Sequence, residues 1–158
     1  MDAAARSYLA KEVPISVLIN SVLSALFVWL VFGGAAAVPV WGAGGLARDF
    51  LPQTFMISLM SVLVPSALTR RRRRGGAVER CEPFLPWLPR NLFLRALSVA
   101  VVSTILFSSA GALLLDAAAS EPVPIAIVAA FKIAYGALVA LIVTPLALCV
   151  ALGEDLSE

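Results

Sequence analysis

Histidine is absent from this 158-residue chain, and cysteine occurs twice, at Cys81 and Cys149. The first absence removes histidine-held haem, histidine-bearing zinc sites and Ser-His-Asp catalysis. The second leaves no C-x-x-C pair for redox chemistry, so both cysteines are read as ordinary free thiols. Charge is also scarce. Only 14% of residues are Asp, Glu, Lys or Arg, against about 25% in soluble domains. Hydrophobic residues make up 61%, more than a soluble fold of this size can cover. No membrane-interior carboxylate stands in the first apolar run, and no Arg-Asn-Glu cluster occurs. The acids lie at the ends of apolar runs, without a paired nucleophile and base. No catalytic residue, metal ligand or cofactor is expected, and an intramembrane enzyme is the third-ranked reading.

What is present is apolar sequence in long uninterrupted blocks. A helix needs ~20 apolar residues at 1.5 Å each to cross the hydrocarbon core. Four intervals between charged residues meet that length: Glu12 to Arg48, Asp49 to Arg70, Arg95 to Asp116 and Lys132 to Glu154. The first run exceeds the roughly 7–15 residues of a signal-peptide core and is read as a retained span. The expected fold is all-α: one polytopic transmembrane domain over 1–158, a four-helix bundle built from two hairpins. Spans are placed at 13–33, 50–69, 96–115 and 123–152, with a basic, proline-containing loop at 70–95.

The charges then give an orientation. Loops on the cytoplasmic side carry the excess of Lys and Arg. With the run Arg70, Arg71, Arg72, Arg73 and Arg74 inside, four spans put both chain ends inside as well. Ten of the twelve basic residues share that side, leaving Arg48 and Lys132 opposite. The predicted location is a bacterial inner membrane. The stretch from Arg70 to Arg95 holds eight Arg and two Glu, and basic clusters of this kind draw anionic lipid headgroups at about 1 kcal/mol per charge. Phe84 and Trp87 stand among prolines and make no stacking platform, so nucleic acid is not an expected partner. Pro83, Pro86 and Pro89, at every third position, favour an extended polyproline-like path along the headgroups. The acidic tail "GEDLSE" shares this side and is expected to meet the basic segment.

Within the spans, Lys132 is the one basic residue in a long apolar setting. An ionisable group inside a membrane is by default a functional candidate. Two placements follow: an interfacial lysine whose ammonium meets the nearby acids Asp49, Asp116 and Glu121, or a buried gate using Lys132 with Asp116 or Glu121; Tyr135, one turn along, is its neighbour in either case. Asn20, Ser21 and Ser24, with Ser16 before them, mark a small polar face suited to helix contact. A proline-based alignment, Pro65 with Pro145, suggests that the two halves are related. The leading functional expectation is a non-catalytic scaffold or accessory subunit that joins a homo-oligomer or larger membrane complex. The alternative is a small oligomeric transporter or channel using Lys132.

Overall fold

The computed structural model describes residues 3–42, 44–118 and 122–156. Among them, four helical rods are long and apolar enough to cross a membrane. The first is α1 (Ala3–Phe32) and the second α2 (Leu46–Arg74). The third comprises α3 (Leu92–Ser103), a π-helical turn (Thr104–Ser108) and α4 (Ser109–Ala118) in succession. The fourth is α5 (Ile125–Gly153). A short antiparallel pair, β1 (Ala37–Val38) with β2 (Val123–Pro124), joins the two connections at one end of the bundle, hereafter the strand end. The other, basic end carries the arginine run together with the segments that begin and close the described chain.

The arginines extend α2 as helix through Arg74 instead of opening the expected loop at residue 70. Arginine is a good helix former, and cations are favoured at a helix C-terminus, where unpaired carbonyls carry negative partial charge. At the start of α3, the Asn91 side chain accepts from the backbone N–H groups of Phe93 and Leu94 at 2.9 and 3.2 Å, capping two otherwise orphaned donors. At the strand end the N-terminus of α2 is capped by backbone: Leu46 N–H donates to Pro39 and Ala47 N–H to Val40. Pro39 and Val40, in the connection before α2, thereby cap that helix. Val38 and Val40 are buried.

The rods do not pack as two hairpins. The principal contacts run α1 against α5, α5 against α2, and α2 against α3, while α1 and α2 touch only lightly. α5 is the most buried rod: 61% of its most apolar window is buried, against 22% to 39% in the other three. Spacing explains this order. The buried residues of α1 below its first turns are Ser16, Asn20, Ser24, Val28 and Phe32, a strict four-residue row. α2 buries two such rows, one through Phe50, Thr54, Ser58 and Val62 and one through Gln53, Ile57, Ser61 and Pro65. α5 does the same through Lys132, Gly136, Ala140 and Thr144 and through Tyr135, Val139 and Val143. Four residues turn an α-helix through about 400°, so such a row drifts round the axis and stays in contact when i±4 ridges interdigitate at a crossing angle. At the α1–α5 crossing a Cβ on Gly136 would lie 2.1 Å from Ser24 Oγ. Only glycine permits that approach.

The order α1, α5, α2, α3 is unchanged when the two halves are exchanged, as a repeat about an axis along the membrane normal requires. The register differs from the proline alignment. Laying Leu46 on Val128 sets every buried residue of α2 on a buried residue of α5 and places Pro65 opposite Ala147.

Candidate functional site

Under the strand-end cap, Lys132 sits seven residues into α5, about 10 Å along the helix. Its residue is 0% exposed. The ammonium pairs with Asp49 in the first turn of α2 and lies 5.0 Å from the centre of the Phe32 ring at the end of α1. Carboxylate and aromatic face thus hold one cation from two different helices. Of the three acids expected near the ammonium, Asp49 meets it, Asp116 is exposed and Glu121 lies outside the described residues. Lys132 is buried and does not stand at an open interface.

A polar column descends from this pair. Gln53 Nε2 donates to the Lys132 carbonyl at 3.3 Å and to Ser24 Oγ at 3.4 Å. One turn lower, Asn20 Nδ2 donates to the Ser16 carbonyl at 2.8 Å and Ser61 Oγ at 3.3 Å, and Ser16 Oγ meets Thr144 Oγ1 at 2.8 Å. Asn20 Oδ1, Gln53 Oε1 and Ser58 Oγ are buried without a hydrogen-bond partner in the protein. Asn20 and Ser24 thus bond across helices, to Ser61 and Gln53. Ser21 does not: half-buried, it donates back to the Val17 carbonyl of its own helix at 2.9 Å.

Tyr135 does not meet Lys132 through its hydroxyl. It contacts Thr54 Oγ1 at 2.5 Å, and Thr54 also receives Ser108 Oγ at 3.2 Å. The π-helical turn explains Ser108. An extra residue in one turn shifts the phase of everything beyond it, so the buried sequence Ala96, Ala100, Ser103 resumes at Ser108. No pattern in the sequence marks that insertion.

The basic end is a network of ion pairs. Glu154, just past α5, receives Arg70 Nε at 2.6 Å and Arg70 Nη2 at 2.9 Å, and also pairs with Arg95 Nη1. Burial pushes the Glu154 carboxyl up, but the Arg70 and Arg95 hydrogen bonds and charges outweigh it, and the group titrates below the ordinary glutamate range. Arg72 Nη1 reaches Glu12 at 2.5 Å and Tyr8 Oη at 3.0 Å, and Arg73 Nη1 donates to the Ala151 carbonyl at 2.9 Å. Arg80 pairs with Asp155 at 3.2 Å. The acidic tail thus meets the basic segment within one chain, and three of the five consecutive arginines turn inward. Arg71 and Arg74 are exposed.

The loop from Cys81 to Arg90 folds across the end of α5. Cys81 N–H donates to the Leu152 carbonyl at 3.1 Å, and a Cβ on Gly153 would press on Glu82 O and Pro83 Cα, both at 2.8 Å. A turn from Leu85, where φ is +53°, to Leu88, closed by Leu88 N–H to Leu85 O, interrupts the expected polyproline path. Cys81 and Cys149 line one cavity of about 660 Å³ at this end and are not joined in a disulfide. Other cavities of about 270 to 680 Å³ lie at the basic end, on the α3–α5 face and beside Trp41. Lys132, Gln53, Asn20 and Ser58 line none of these. No protein-family model, curated protein or solved structure matches the chain.

Proposed function

We propose that this chain is a non-catalytic scaffold or accessory subunit of a bacterial inner-membrane assembly, with both ends on the cytoplasmic side. The supporting observation is that its interior polar groups face one another. Lys132 meets Asp49 and Phe32, Gln53 bridges α1 and α5, and Asn20 bridges α1 and α2. Such a bundle offers partners a rigid apolar exterior. The small polar faces are consumed inside it, so a second copy or foreign subunit docks on the outward faces of α1 or α3, the two rods at the edges of the layer. Arg71 and Arg74, exposed at the basic end, engage anionic headgroups and hold the orientation. Native mass spectrometry of the protein extracted mildly from its own host tests this. A stoichiometric second copy or foreign subunit is expected, and a solitary chain under every mild extraction would overturn the proposal.

One observation favours a second reading as an oligomeric transporter or channel. The buried Lys132–Asp49 pair stands above unsatisfied acceptors on Gln53, Asn20 and Ser58, an arrangement that ion or proton pathways use. Under this reading Lys132→Ala abolishes flux in reconstituted vesicles while assembly persists. Under the scaffold reading, wild-type vesicles carry no flux above the protein-free background.

A further inference from the structure

At the basic end two cavities share a wall. One, of about 270 Å³, is bordered by Arg70, Arg80, Arg90, Arg95, Glu154 and Asp155. The other, of about 310 Å³, is an apolar groove between α3 and α5, lined by Val102, Leu106, Ile142 and Leu146, with Trp87 at its rim. Arg95, Leu85, Leu88 and Val150 belong to both. Arg95 is only 2% exposed, and one of its nitrogens, Nη1, is spent on Glu154. Its Nε and Nη2 are buried with no hydrogen-bond partner in the protein.

Unpaired guanidinium donors inside a membrane protein are costly, and a chain retains them where something completes them. Nε and Nη2 form one edge of the guanidinium fork, the edge that grips two oxygens of a phosphate or carboxylate side by side. The polar cavity carries four arginines and two acids, a net charge of +2 after Glu154 and Asp155 are counted. It therefore selects an anion. The apolar groove begins at the same arginine and runs along the outward faces of α3 and α5, where an acyl chain would lie. Trp87, 76% exposed, stands at the rim, the position indole takes at the headgroup level.

We propose that this double cavity binds one anionic glycerophospholipid, its phosphate on Arg95 Nε and Nη2 and an acyl chain in the groove. A zwitterionic choline lipid would bring its cation against Arg80 and Arg90, so the site discriminates by headgroup charge. The proposal does not depend on whether the protein is a scaffold or a transporter.

The test is native mass spectrometry of the full chain, delipidated in mild detergent and supplied with phosphatidylglycerol or phosphatidylcholine at equal concentration. One phosphatidylglycerol per chain is expected to persist, with about tenfold preference over phosphatidylcholine. Arg95→Gln removes that preference, but it also strips Glu154 of a partner and can perturb folding. Val102→Trp and Leu146→Trp supply the independent check, because both side chains point outward from the bundle and their indoles fill the groove. Each is expected to lower phosphatidylglycerol retention about tenfold without lowering the thermal midpoint. Equal retention of the two lipids, or retention unchanged by both tryptophans, would overturn the proposal. Displacement of all bound lipid by inorganic phosphate, with the tryptophan variants behaving as wild type, would assign the site to free phosphate and overturn it equally.

Discussion

At the residue scale, the burial of Lys132 sets the sharpest expectation. Removing one partner of a buried ion pair strands the other, at a cost of about 3–5 kcal/mol, while replacing both with apolar groups is often neutral. Asp49→Asn and Lys132→Met are each expected to lower stability by that amount, and Asp49→Leu with Lys132→Met to recover most of it. Denaturant titration in mixed micelles, followed by helical circular dichroism, measures all three. An additive double variant would show that the residues do not act as a pair. Glu154 gives a pH dependence whose sign is set by its lowered pKa. A carboxyl lowered on folding contributes stability that is fully present above the unfolded value of about 4.3. That contribution is lost as pH falls through the lower folded value. Glu154→Gln should therefore unfold at a lower temperature than wild type at pH 7, and the gap should close as pH drops below 4. A gap independent of pH would disconnect the carboxylate's charge from the stability of the basic end.

At the element scale, the α1–α5 crossing depends on one missing methyl group. A side chain on Gly136 meets Ser24 Oγ at 2.1 Å and Ile57 Cδ1 at 3.1 Å, and overpacking a tight core costs about 1–3 kcal/mol. Gly136→Ala is expected to lower the thermal midpoint, and Ser24→Ala in the same chain to restore part of it by removing the clashing oxygen. Absence of any rescue would show that the two helices do not cross there. The four-residue recurrence of Ser16, Asn20 and Ser24 was legible in the sequence, because side chains on one helix face recur at fixed spacing. Which rod that face meets was not. Chain adjacency favoured α2, whereas the close approach allowed by Gly136 brings α5 against it.

For the whole molecule, the proposed orientation rests on the ten-to-two distribution of basic residues. Alkaline phosphatase fused after Gly42, at the strand end, is expected to be active in an intact bacterial host, and the same enzyme fused after Leu156 to be inactive. The reverse result would invert the proposed topology. The symmetric order of the rods has a further consequence, since α1 and α3 occupy equivalent edges of the layer. These are the faces on which a second copy or a partner is proposed to add without disturbing the core.

The number of helices long and apolar enough to cross a membrane and the clustering of charge at one end follow from composition along the chain, because the bilayer imposes a minimum apolar length and ionic groups resist leaving water. The meeting of the acidic tail with the arginines was also legible, since opposite charges confined to one end find each other. The pairing of Lys132 with Asp49 among the nearby acids, the re-phasing that brings Ser108 to Thr54, and the burial of Arg95 between two cavities were decided by tertiary structure. Each depends on which rods become neighbours and in what register. In lipid that choice is made by close packing and interhelical hydrogen bonds between residues far apart in the chain, which local periodicity does not encode.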